Sequence, residues 1–334
     1  MRFIKHLVAV SIALVASVSV AHATQIKIAT IAPENSQWMT EMRAAAAAIK
    51  ERTEGRVIVK FYGGGVMGND RKVLRKIRNG QLQGGAFAAS GLLEKYPDIG
   101  IYGMPLLFRS QAEVDHVQSQ IDDEIQAGLE KAGFVSFGLA GGGFAYLMGN
   151  NPAASIEDLR GKKMWVPEGD QITYASMEAM NLSPVVLPIS DVLTGLQTGL
   201  VEYIATPSSA ALLLQWYTKV KHITDLPIAY TMGIMAVDKK AFGKLSAEDQ
   251  AVFRDVMSET YTKFDAINRA DNVSADKALA ANGLQRVQPD PAAVPVWRKQ
   301  VAESNRKIWA EGDYTPDMLS RVEAMLEQYR AEAQ

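Results

Sequence analysis

Between residues 25 and 88 the chain alternates segments of two different periods, and this alternation restricts its fold more than any other feature. Residues 25–31 place apolar and polar side chains alternately, as a strand does. Pro33-Glu34-Asn35-Ser36 is a turn, and the alanine-rich residues 37–53 have helical spacing. Residues 56–62 return to strand character, 63–69 form a glycine-rich turn, 70–79 read as a helix stopped by Gly80, and 81–88 as another strand. Strands separated by helices need crossover connections, so the expected class is α/β with largely parallel sheets.

Part of this unit recurs in the second half. Val73-Leu74, Ile77, Gly80 and Leu82 have the spacing of Val192-Leu193, Leu196, Gly199 and Val201: an apolar helix face, a glycine stop and an entering strand each time. The 334 residues also exceed what one core usually holds. Two comparable α/β lobes are therefore expected, and a cleft between lobes is a preferred place for a small ligand. The last third is helical. Ser246-Ala247-Glu248-Asp249 is a capping box opening a helix to about Asn282, with Gly283 beyond it, and two more helices span about 295–310 and 316–333.

The first 23 residues stand apart from the fold. Arg2 and Lys5 precede an apolar run over residues 7–20, and Ala21-His22-Ala23 offers small residues to a signal peptidase, so export with cleavage after Ala23 is expected. The apolar run is shorter than the roughly 20 residues of a membrane span. Losing Arg2 and Lys5 takes the formal charge from −2 to −4. Neither value gives a footprint for nucleic acid.

Most catalytic chemistries lack their residues. With no cysteine, disulfide scaffolds, zinc ribbons, iron–sulfur centres and thiol nucleophiles are excluded. His6 and His22 lie in the leader, while His116 and His222 are isolated, so no metal site is expected. Gly63, Gly65 and Gly68 spell G-x-G-x-x-G, but the next strand, Gln83-Gly84-Gly85-Ala86, has no acid for a ribose, and Asn69 stands where a Walker lysine belongs. No G-x-S-x-G elbow occurs, and the pairs Asp122-Asp123 and Glu157-Asp158 read as solvated charges at helix starts. No cofactor and no catalysis are expected. What remains suits binding: Trp38, Phe144, Tyr146, Trp165, Tyr174, Thr206, Trp216 and Tyr217 at strand ends and loops.

The order of segments resembles a known family. IATIAPENSQW at 28–38, GRVIVKFYGGGVMGNDRKVLRKIRNGQLQGG at 55–85, YPDIGIYGMPLLF at 96–108, SIEDLRGKKMWVP at 155–167 and SPVVLPISDVLTGLQTGLVEY at 183–203 are similar to solute-binding subunits of tripartite ATP-independent periplasmic (TRAP) transporters of the DctP type. The resemblance implies a two-lobe periplasmic-binding-protein fold with a long helix across both lobes. It implies a periplasmic receptor that closes on a small-molecule solute and hands it to small and large membrane subunits driven by an ion gradient. Residues 24–145 with 230–272 would form the first lobe, and 146–229 with 273–334 the second.

The chain departs from that family where ligands are usually held. Most members carry an arginine in the segment that here reads Met164-Trp165-Val166-Pro167, and it forks onto a carboxylate; the position is Trp165 here. A second basic position falls near Phe144 to Tyr146, and a glutamate–asparagine pair is replaced by Ala205-Thr206 before Pro207. The expected solute is accordingly neutral, zwitterionic, cationic or aromatic. Trp165 would stack on it, offering one N–H, with Asn35, Ser36 and Trp38 from the first lobe and Phe144, Tyr146 and Thr206 from the second or its edge. Glu168 and Asp170 would favour a cation. The alternatives are an organic acid met by Arg71 or by amides of the glycine loop, and a receptor read by a membrane sensor.

Overall fold

The structure, a computed structural model, describes residues 23–332. Apart from Ala23, the expected leader lies outside the described residues, as does its cleavage. No helix among them is long and apolar enough to cross a membrane.

The alternation read from the sequence is β1 (Thr24–Thr30), α1 (Gln37–Arg52), β2 (Val57–Tyr62), α2 (Asp70–Arg78) and β3 (Gly84–Ala88). Ser36 starts α1 by accepting from the Met39 amide at 3.2 Å, and Asn69 starts α2 by accepting from the Lys72 amide at 3.1 Å. The chain continues through α3 (Gln111–Lys131), β4 (Phe134–Val135) and β5 (Ala140–Gly149). A second unit follows: β6 (Lys163–Pro167), α4 (Gln171–Ala179), β7 (Ser183–Leu187), α5 (Val192–Thr198) and β8 (Tyr203–Thr206). The remaining elements are α6 (Ser208–Leu213), β9 (His222–Asp238), α7 (Lys239–Phe242), α8 (Ala247–Ala281), β10 (Gln285–Val287), α9 (Ala293–Glu311) and α10 (Met318–Glu332).

The two units have one topology. β1 lies between β2 and β3 and parallel to both, and β6 lies between β7 and β8 and parallel to both. α2 and α5 hold equivalent places. Each is followed by a left-handed glycine, Gly80 at φ 72° and Gly199 at φ 71°, a conformation that a Cβ would disfavour. The spacing shared by Val73 and Val192 thus marks a structural repeat.

β5 and β9 join the units. β9 pairs antiparallel with β3 and with β5, and β5 pairs antiparallel with β8, giving the order β2-β1-β3-β9-β5-β8-β6-β7. The β5–β9 ladder shifts register between Gly141 and Gly143 and again around Tyr146, as β-bulges do. α8 backs this junction. At 35 residues it is about 52 Å long, capped by Ser246, whose hydroxyl accepts from the Asp249 amide at 3.0 Å. Its Phe253 and Phe264 pack with Ile28 and Met42 of the first half, and its Leu279 with Trp165 and Trp216 of the second.

Two placements differ from expectation. The sequence reading put residues 273–334 with the second lobe, yet Trp309, Met318, Val322 and Leu326 pack in the cluster of Val114, Ile121 and Leu129 from α3. Asp122 is no helix start. It lies inside α3, accepts from the Tyr102 hydroxyl and from Gln118 Nε2 at 3.2 Å, and burial pushes its carboxyl up to about 6.

Candidate functional site

The C-terminal ends of β1, β3, β6 and β8 meet around one cavity of about 910 Å³, to which they contribute Thr30, Ala88, Pro167 and Thr206. Crossover helices carry the chain away from a parallel sheet at these ends, which leaves a crevice walled by loops. The volume falls in the range of roughly 300–1,000 Å³ typical of small-molecule sites.

Among the described residues no arginine, lysine or histidine lines this cavity; its charged residues are Asp170 and Asp271. Asp170 serves its own helix. Its Oδ1 accepts from the Thr173 amide at 2.9 Å and its Oδ2 from the Thr173 hydroxyl at 2.7 Å, which caps α4. Burial nevertheless raises its pKa above the usual carboxylate value, more than these hydrogen bonds lower it. No group of three or more acidic or imidazole side chains is placed to hold a metal ion among the described residues.

A family model for bacterial extracellular solute-binding proteins, family 7, called DctP, matches residues 28–312. The chain belongs to this family. It is 24% identical over 236 residues to the C4-dicarboxylate-binding periplasmic protein DctP of Rhodobacter capsulatus, covering 69% of this chain and 70% of that one. To the sialic acid-binding periplasmic protein SiaP of Vibrio cholerae it is 23% identical, over 87% of this chain and 91% of the relative. The fold matches a TRAP periplasmic solute binding protein from Ochrobactrum anthropi with a TM-score of 0.78 at 24% identity, covering 93% of this chain and 97% of that one. It also matches the sugar acid binding protein DctPAm of Advenella mimigardefordensis, solved with galactonate, with a TM-score of 0.84 at 18% identity, covering 92% of this chain and 98% of that one. The fold is therefore that of two-lobe TRAP solute-binding proteins.

In this DctP-family chain the cavity gathers Ser36, Trp38, Trp165, Asp170, Thr206 and Trp216 from the candidates. Trp38 stacks on Phe264 at 5.9 Å, which fixes its ring at the cavity wall. Trp165 is 5% exposed and meets Trp216 edge-on at 5.2 Å. Its indole N–H is already committed, donating to the Leu187 carbonyl at 2.9 Å. The expectation of a free indole donor is thus corrected: Trp165 presents an apolar wall. Thr206 is 3% exposed and pairs in register with Tyr146.

The other candidates sit outside the lining. Asn35 is exposed in the turn before α1. Phe144 packs edge-on against Tyr230 at 5.1 Å, and it is Tyr230 that reaches the cavity. Tyr146 lies under the Arg286 guanidinium, 5.5 Å from its ring centre. Glu168 turns to the other half of the molecule, where its Oε2 accepts from Asn69 Nδ2 at 2.6 Å and its Oε1 is 3.8 Å from the Arg71 guanidinium. Arg71 therefore meets a carboxylate of the protein itself.

The four glycine amides of the loop are equally committed. The amide of Gly63 donates to Glu34 Oε1 at 3.1 Å, that of Gly64 to Ala32 O at 2.8 Å, that of Gly65 to Thr30 O at 3.0 Å and that of Gly68 to Gly65 O at 2.8 Å. Sequence reasoning missed α4, which lends Ile172, Ser176 and Met177 to the lining, with Met180 just past its end. The signal was present: Ser176 is a polar residue one turn from Ile172 on an otherwise apolar stripe.

Proposed function

We propose that this DctP-family protein is the periplasmic receptor of a TRAP permease and that its solute is neutral or cationic with a large apolar part. One observation carries the reading: a cavity of about 910 Å³ lined without a basic side chain. A carboxylate moved from water into such a site without a paired cation or several donors loses several kcal/mol of hydration. Other anion-binding groups considered for the cleft, Arg71 and the amides of Gly63, Gly64, Gly65 and Gly68, already have partners within the chain. The relatives named for acids make an organic acid the competing reading.

The protein would be exported, lose its leader after Ala23, and deliver its solute unchanged to the small and large membrane subunits. Contact with both halves at once stabilises the closed form, because only the closed form offers both sets of contacts. Thermal-shift screening of the mature chain tests the proposal, using several hundred metabolites that include acids with their amide and amine counterparts. Amides, alcohols or amines are expected to raise Tm more than the matching carboxylates. Stabilisation by carboxylates alone would overturn the reading.

A further inference from the structure

The cavity does not end at the strand tips. It continues into the second half, where Ile156, Leu159, Met164, Met177, Leu182 and Trp297 line it, each less than 10% exposed and all members of one apolar cluster. The lining here also includes Ser176, next to Met177 on α4 and one turn from Met180. Ser176 is 1% exposed, and its hydroxyl has no hydrogen-bond partner. A helical serine ordinarily returns its proton to the carbonyl four residues back; this one does not.

The buried side-chain atoms without partners among the described residues belong to Ser136, Ser176, His222, Ser304, Asn305 and Arg321, and of these Ser176 alone lines the cavity. A buried hydroxyl left unpaired is unfavourable. A lone water is a poor remedy, because it needs two to four polar partners. Two other hydroxyls of the lining are occupied: that of Thr224 donates to Ala153 O at 2.7 Å and that of Ser155 to Asp158 Oδ2 at 3.0 Å.

We propose that this inner chamber is a subsite for an apolar arm of the solute, and that Ser176 hydrogen-bonds an uncharged oxygen carried on that arm. The proposal rests on the receptor reading of the outer cleft and narrows its solute class: an elongated apolar skeleton bearing a hydroxyl or carbonyl at its inner end. The three methionines Met164, Met177 and Met180 suit such a guest, since their unbranched thioethers adapt to irregular shapes.

The test uses the mature chain carrying 13C-methyl methionine, titrated with 4-propylphenol and with propylbenzene, which lacks the oxygen. The methyls of Met164, Met177 and Met180 report the chamber, while Met39 and Met42, fully buried in the first half, serve as controls. Saturable shifts confined to the chamber methyls are expected, with 4-propylphenol binding at least threefold more tightly than propylbenzene. In Ser176→Ala the two probes should bind equally, while Tm of the protein without probe rises because an unpaired hydroxyl has gone. Ala153→Phe, which fills the chamber, should abolish the methyl shifts with both probes. Shifts of the Trp165 and Trp216 indole signals without methionine shifts would overturn the chamber and leave the receptor reading standing. No methionine shift with either probe would also overturn it, and an unchanged probe preference in Ser176→Ala would remove Ser176 from it. Stabilisation by carboxylates alone in the metabolite screen would overturn the receptor reading's charge assignment whatever the methionines do.

Discussion

Asn69 Nδ2 donates to Glu168 Oε2 at 2.6 Å, and the two residues come from opposite halves of the molecule, one at the start of α2 and one at the exit of β6. The bond ties the two halves together. An uncharged donor on a partly exposed carboxylate is worth about 1 kcal/mol. Glu168→Ala should therefore weaken binding of the screened solute about fivefold and expand the protein without solute, as read by calorimetry and small-angle scattering. Unchanged affinity and dimensions would show that the bond does not hold the halves together.

Asp70 sits beside this bond, and burial, with the Glu168 charge second, pushes its carboxyl up from 3.8 to about 6. A carboxyl raised in the folded state binds its proton more tightly there than in the unfolded chain. Its contribution to stability is thus fully present below about pH 4 and is lost as pH rises through about 6. Asp70→Asn should match the wild type at pH 4 and exceed it by about 2 kcal/mol at pH 7. Urea unfolding across this range checks the difference, and a gap independent of pH would refute the assignment.

Trp165 lines the cavity with its N–H turned to Leu187. Trp165→Phe should cost about 2–3 kcal/mol, from lost packing on Trp216 and the lost indole hydrogen bond to the Leu187 carbonyl, which keeps only the Glu168 amide as donor. It should leave the ratio of amide to carboxylate affinity within about twofold, because no donor to the solute is lost. Urea melts and calorimetry separate these effects. A large change in the ratio would show that the indole does meet the polar end of the solute.

Asn272 ties α8 to the junction of the halves. Its Nδ2 donates to Gly142 O and to Asn268 O at 2.9 Å each, and its Oδ1 accepts from the Ser209 amide at 3.2 Å. Asn272→Ala frees a β5 carbonyl and an α6 amide, so a loss of about 1–2 kcal/mol is expected. Faster hydrogen exchange should be confined to residues 141–145 and 208–212. Exchange spread evenly over the chain would indicate general destabilisation instead.

Features set by near neighbours were legible in the sequence. Strand and helix periods, the caps Ser36 and Ser246, and the glycine stops Gly80 and Gly199 depend on residues within a turn or two, so the βαβαβ unit and its repeat could be read from spacing. The absence of an arginine at Trp165 was legible too, because residue type alone decides it.

Only the tertiary structure decided what those residues face. The bulges of β5 break the two-residue alternation, so Phe144 and Tyr146 could not be assigned to the cavity by counting. The Trp165 indole is claimed by Leu187, twenty-two positions along the chain, and Glu168 is claimed by Asn69 across the cleft. Where donors and charges find partners depends on packing between distant segments, which spacing does not encode. The sequence by itself determined the α/β units and the chemistry absent from the site; packing alone decided which groups of the site remain free.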